Sequence, residues 1–388
     1  MNEFISEFTL GDADGPSIAL KDTIDVAGYP TTAASRALQD APPAQSHAEV
    51  VDRLLTQGWR VVGKTNMHEL AFGMTGINDH TGTPENPQDE TRIPGGSSSG
   101  SAAAVGLHLS CAALGTDTGG SVRGPAACCG VIGMKPTFGR VSRRGVAPAR
   151  STLDCVGPFA REMLTLIDVM AAITPGFDEG VANTLPSSLR IGVVSADATR
   201  EISDAVTNAP SLAGFASQGI ELLNLRAAFD AGLTVINAET WAAFGHLLET
   251  GKLGADLDVR LRMASKTTQA DLAVAESVRA RFTAEVDHAL QSVDVIVLPT
   301  LPALPITLEA AKNGTSVIAM SSLIRPFNLS GHPALSLPLP IAGSPLRAGL
   351  QIVGRKGADE LVCAIATCFE ACFEACFEDA LAQWPETA

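Results

Sequence analysis

The chain has 388 residues, 46% hydrophobic and 18% charged, an ordinary globular composition with enough length for a large core. A formal net charge of -15 argues against nucleic acid as a partner, because phosphate binding needs clustered Lys and Arg. No apolar run reaches the roughly 18 residues of a membrane span. The start "MNEFISEFTLGDADG" lacks the basic head and apolar core of a signal peptide, so the expectation is a cytoplasmic protein without membrane contact, its eight cysteines reduced.

In chain order, "SIALK" (17–21) reads as a strand, and 47–57 reads as a helix because Val50, Val51, Leu54 and Leu55 fall at helical spacing. "RVVG" (60–63) follows as a second strand. "GWRVVGKT" (58–65) matches the phosphate-loop pattern G-x-x-x-x-G-K-[ST], with Lys64 in the lysine position. A phosphate loop runs strand, glycine loop, helix; here the order is helix, Gly58 as a C-cap, then strand, so ATP binding is set aside. His68 and Glu69 in "NMHELAF" have the chemistry of an acid–base pair but read as a polar helix start.

Further along, 161–173, 266–291 and 357–383 read as helices, and 188–194, 294–300, 333–339 and 349–354 as strands. This alternation argues an α/β protein with a largely buried sheet between helices. No charged or Pro/Ser-rich linker divides it, so one domain over 1–388 is expected. Cys111, Cys128, Cys129 and Cys155 lie among small residues and read as buried packing groups. With no Cys-x-x-Cys and no close His pair, no metal site is expected. "CFEACFEACFED" (368–379) sets Cys368, Cys372 and Cys376 in one helical row beside Phe369, Phe373 and Phe377. It is expected to pack that face on the body rather than to hold a soft metal.

Residues 94–140 carry the chemistry. Two turns, Gly95-Gly96-Ser97 and Gly119-Gly120-Ser121, bracket a small-residue helix, and the N–H groups from Thr118 to Ser121 can converge on an oxyanion. A serine nucleophile needs a base. "GSSSG" (96–100) fits the G-x-S-x-G elbow, with Ser98 as nucleophile and His332 as base, but that elbow requires a preceding strand and "NPQDETRIPG" is a polar loop. A desolvated lysine is the alternative base. Lys21 and Lys64 both follow short apolar strands, and spacing alone does not choose between them.

The segment resembles the signature of the amidase signature family of serine hydrolases. The likeness extends to "SIALKDTIDVAGYPTTAASRAL", "RVVGKTNMHELAFG", "SRRGVAPARSTLDCVGPFAR", "DVIVLPTLP", "RPFNLSGHPALSLP" and "GLQIVGR", with a signature core over about 15–165. It implies an α/β/α fold with a mixed central sheet and cofactor-free amide hydrolysis by a Ser–cis-Ser–Lys triad. Matched position by position, the resemblance implies Ser121 as nucleophile, Ser97 as bridging serine and Lys21 as base. It further implies an oxyanion hole from the N–H groups of Thr118, Gly119, Gly120 and Ser121, with Ser98, Asp117 and Arg123 supporting. Lys64 matches a segment outside the triad. Two departures stand out: Ser99 replaces a usual glycine, and both the stretch before Lys21 and the stretch between "GPFAR" and "DVIVLPT" are short. Pocket shape and oligomeric state therefore do not carry over. The substrate is expected to be a small carboxamide or urea-like amide, with a homodimer or a small partner subunit open. The alternative is the glutaminase component of a transamidation complex.

Overall fold

The computed structural model describes residues 2–185, 188–341 and 343–382, with side chains through residue 373. Its centre is an 11-stranded mixed sheet. The strands are β1 Phe4–Gly11, β2 Ser17–Lys21, β3 Arg60–Thr65, β4 Ala112–Asp117, β5 Ile132–Lys135, β6 Cys155–Ala160, β7 Ile191–Val194, β8 Ser217–Ile220, β9 Val295–Pro299, β10 Ala334–Pro340 and β11 Arg347–Gly354. In space they run β1-β3-β2-β4-β6-β5-β10-β11-β9-β7-β8. Parallel pairs (β3-β2-β4 and β9-β7-β8) flank an antiparallel centre.

Strand side chains alternate between two helical layers, as the pleat demands. Val295, Val297, Leu335 and Leu337 pack with helices Glu49–Thr56, Met163–Ile173, Arg200–Leu212 and Asp359–Ala382. Ile296, Leu298 and Ala334 face helices Leu225–Phe244, Ala255–Ala264 and Gln269–Ser292 on the other side. Ala19 and Ala113 on that same side meet the small-residue helices Ser99–Gly106 and Arg123–Cys129. Helix Gln269–Ser292 starts at a capping box between Thr268 and Asp271, which places its start a few residues later than periodicity indicates.

Six strands and five helices, the small-residue helix Ser99–Gly106 among them, fall where the sequence places them, whereas β1, β4, β5, β6 and β8 are not among the strands it places. β8 is an exposed sheet-edge strand with no apolar alternation to read, whereas β1, at the other edge, is partly buried, its Phe8 and Leu10 alternating with exposed Glu7 and Thr9. β4 is rich in Ala and Gly and carries little β-branched signal, while β6 has Gly157 and Pro158 between Val156 and Phe159. Cys128, Cys129 and Cys155 are buried, but Cys111 is exposed in the turn ahead of β4, where its Sγ accepts from the Ser17 hydroxyl. In the last helix Phe369 and Phe373 are buried, Phe369 meeting Phe215 edge-on at 5.6 Å, while Cys368 and Cys372 are only half-buried. The side chains of Cys376 and Phe377, and residue 383 of the expected helix, lie outside the described residues. Among the described residues no helix is long and apolar enough to cross a membrane.

Candidate active site

The two lysines part company through register. β2 and β3 are parallel, with Leu20 opposite Lys64 and Lys21 opposite Thr65, so the pleat sends Lys21 and Lys64 to opposite faces. Lys64 forms a fully buried ion pair with Asp22, 2.7 Å from Oδ1, and donates to Pro30 O and Thr31 Oγ1. It anchors the chain after β2, and Gly58, with φ +79°, ends a helix, so no phosphate-loop geometry exists here. On the face of Lys21, Thr65 Oγ1 hydrogen-bonds Ser101 of the small-residue helix.

That helix brings the serines to Lys21. Glycine is required at its start, because a Cβ on Gly100 would sit 2.4 Å from Glu3 O and 2.7 Å from Asn66 N. The Gly96–Ser97 peptide is cis, as the resemblance implies. Lys21 Nζ lies 2.7 Å from Ser97 Oγ, within hydrogen-bond distance, and donates to Thr116 Oγ1 and Thr116 O at 2.9 and 3.4 Å. Lys21 is fully buried, and burial pushes its amine down to about 7, against the opposing pull of Asp154 and Asp117. Ser98 Oγ hydrogen-bonds Thr116 O, and Ser98 N donates to Ser121 O at 3.3 Å, joining the two serine turns. Ser97 is sealed, whereas Ser121 keeps 4% exposure and is the more reachable hydroxyl.

Asp117, at the end of β4, shapes the second turn. Its carboxylate accepts from Gly120 N at 2.8 Å, from Val122 N and Arg123 N, and from the Arg123 guanidinium at 3.0 Å. Burial alone would raise the Asp117 carboxyl; Arg123 and the Asn328 amide outweigh it and hold it well below the usual carboxylate range. Arg123 is satisfied in turn by Ile324 O, Gln351 Oε1 and Asn328 Oδ1. One expectation changes as a result. The Gly120 N–H is committed to Asp117 and leaves the candidate oxyanion set. Among the described residues, the N–H groups of Thr118, Gly119 and Ser121 have no protein acceptor.

Asp154 joins the site without any mark in the sequence. Its Oδ1 accepts from Thr118 Oγ1 at 2.8 Å and its Oδ2 from Arg143 at 2.9 Å, and burial raises its carboxyl against the Arg143 charge. Nothing in "STLDC" signals it, because its partners are Thr118, just beyond β4, and Arg143, 11 residues upstream. His332 does not serve Ser98: its ring nitrogens engage Ser330 and Asp287, and no strand precedes Ser98. His68 and Glu69 begin a short 3-10 turn, both buried. Glu69 accepts from Ser35 Oγ and Gly254 N; burial pushes the His68 imidazole down to about 4, with Arg260 adding to the effect. His68 N donates to Ser97 O, and its side chain lines a cavity of about 630 Å³ with Glu69, Asn78, Asp256, Arg260 and Ile318. Among the described residues no cluster of His, Cys, Asp and Glu is arranged to hold a metal.

A lysine stripped of water, touching one serine hydroxyl beside a glycine turn that carries another, is equipment for acyl transfer. The class is that of hydrolases acting on carbon–nitrogen bonds outside peptides. The chain belongs to the amidase signature family: the family model described as Amidase matches residues 7–363. It is 34% identical to a glutamyl-tRNA(Gln) amidotransferase subunit of Halobacterium salinarum, over 95% of this chain and 99% of that protein. It is also 34% identical to the fatty acid amide hydrolase of Medicago truncatula, over 95% of this chain and 66% of that protein. Among solved structures, the corresponding glutamyl-tRNA(Gln) amidotransferase subunit of Thermotoga maritima superposes with a TM-score of 0.80 at 31% identity, covering 95% of this chain and 86% of that one. A chain from a vestigial protein complex, reported to reveal the evolutionary origins of an s-triazine catabolic enzyme, gives 0.85 at 28% identity over 93% and 84%.

Proposed function

We propose that the chain is a single catalytic domain that hydrolyses a small carboxamide or urea-like amide through an acyl-enzyme on Ser121. The observation that supports it best is the Lys21–Ser97 contact of 2.7 Å, made by an amine that burial brings down to about 7. Hydrogen-bond accounting gives the direction of proton flow. A neutral amine has two N–H groups and one lone pair; Thr116 Oγ1 and Thr116 O take the two hydrogens, which leaves the lone pair for the Ser97 hydroxyl. Ser97 passes its proton to Lys21 and takes the proton of Ser121 as Ser121 Oγ attacks the amide carbonyl. The N–H groups of Thr118, Gly119 and Ser121 hold the oxyanion, and Asp117 and Arg123 fix the turn that carries them. The proton returns through Ser97 to the leaving nitrogen, the C–N bond breaks and ammonia or an amine departs. Water then attacks the acyl-enzyme by the same relay. No cofactor takes part. A cytoplasmic setting is the one we assign.

A second reading has its own support. Proteins named as amidotransferase subunits resemble this chain over nearly all of both lengths, which favours a glutamine-using component that works with a partner. The test is ammonia release from aliphatic, aromatic and urea-type amides and from glutamine, wild type against Ser121→Ala. Release from small amides that the variant abolishes supports the proposal. Release only from glutamine, and only with a copurifying partner, transfers it to the second reading. Turnover that survives in Ser121→Ala removes Ser121 as nucleophile.

A further inference from the structure

Arg325 opens the short helix Arg325–Ser330 and is 6% exposed. Its guanidinium lies over the Phe229 ring, 4.3 Å from the centroid. Nη2 donates to Ser321 Oγ at 2.6 Å and Nη1 to Phe229 O at 3.4 Å, whereas Nε is buried without an acceptor. No carboxylate of a described residue reaches ion-pair distance from it. Asp230 acts only from farther off and is itself paired with Arg226. The contrast with Arg123 is direct: fully buried, Arg123 faces the Asp117 carboxylate and three further acceptors. A buried cation without its counter-charge is costly, and such groups are kept where a ligand completes them.

Its position says which ligand. Gly119 belongs to the turn that carries Ser121, and a Cβ placed on it would lie 3.6 Å from Arg325 Nε and 2.8 Å from Ile236 Cδ1. On the far side, a Cβ on Gly232 would press within 2.9 Å of Arg325 Cγ. Two glycines thus make room for this arginine to lie against the turn that holds the proposed oxyanion donors. Burial lowers its guanidinium to about 10, which still leaves it charged at neutral pH.

We propose that Arg325 determines specificity for the acyl half of the substrate, and that the preferred substrates are small amides whose acyl half ends in a carboxylate. A short dicarboxylic monoamide has this form. This rests on the amide-hydrolase reading above. Planar guanidinium recognises carboxylate by paired N–H donors, which suits Arg where Lys would supply one point charge.

The experiment measures kcat/KM of the wild type on matched pairs, malonamate against malonamide and succinamate against butyramide, and repeats it with Arg325→Met and Arg325→Lys. Thermal shifts with succinate and with butyramide run alongside. The expected result is a preference of about a hundredfold for the acids, carried mainly by KM. That ratio collapses towards one in Arg325→Met and is partly kept in Arg325→Lys, and succinate raises the wild-type melting temperature more than butyramide does. Neutral amides turned over as well as their acidic partners overturn the inference and leave the hydrolase intact. Protection by succinate with no turnover of any amide supports the anion site and removes the free-standing small-amide reading instead. Absence of both overturns both. Should Arg325→Met fail to fold, the wild-type pairs and Arg325→Lys decide.

Discussion

Lys21 is the residue on which the proposed chemistry depends, and its burial makes a thermodynamic prediction separate from catalysis. In the unfolded chain its amine titrates near its ordinary 10.5; in the fold, burial brings it down to about 7. Between those two values the unfolded state binds more protons than the folded state, so stability rises with pH across the window. Below about 7 both states carry the proton, and the full cost of burying the charge remains. One pH unit inside the window is worth about 1.4 kcal/mol. From pH 7 to pH 9 wild type should therefore gain about 2 kcal/mol relative to Lys21→Met, whose apolar side chain fills similar space and does not titrate.

The assay is urea unfolding of both proteins at pH 6, 7, 8 and 9, extrapolated to water with matched slopes. Every other titrating group is common to the two chains, so the difference isolates Lys21. The difference should be flat below about pH 7 and should then move in favour of wild type. The kcat/KM of wild type should rise through the same pH, because only the neutral amine accepts a proton. A difference that stays level to pH 9 would refute the reasoning. It would mean that Lys21 is still charged at neutral pH, with no lone pair for Ser97.

Three further predictions follow from neighbouring contacts. Asp154→Asn keeps an acceptor for Thr118 Oγ1 but removes the strongest charge that holds the Lys21 amine up, so the acidic limb of kcat/KM should move to lower pH; an unmoved limb would detach Asp154 from the base. Lys64→Met leaves the Asp22 carboxylate buried and unpaired, which should cost roughly 3–5 kcal/mol in urea unfolding, while the acidic limb of the protein that remains folded stays in place. Gly120→Ala puts a side chain at φ +110°, with its Cβ 2.1 Å from Ile324 Cδ1; a loss of roughly 1–3 kcal/mol and a steep fall in kcat are expected, and unchanged kcat would show that the turn's geometry does not matter to the reaction.

What the sequence discloses here follows from where each signal is stored. Local patterns disclose β2, β3, β7, β9, β10 and β11, because buried strands in a sheet covered on both faces are short apolar runs. The serine turns are equally local, carried by contiguous residues from Gly95 to Ser101 and from Asp117 to Arg123. Asp154 and Arg325 are not legible as site residues, because their meaning lies in what they face: Thr118 and Arg143 in one case, Gly119 and an absent counter-charge in the other.

The choice between Lys21 and Lys64 shows the limit most sharply. Both are basic, both follow apolar strands and both are buried, so composition and burial treat them alike. Their difference is a one-residue offset in the parallel pairing of β2 with β3. That offset aims Lys64 at the Asp22 carboxylate, and aims Lys21 at two hydroxyls and a carbonyl that a neutral amine can satisfy. A carboxylate partner makes a lysine an anchor. Its absence, in a site closed to water, lets a lysine act as a base.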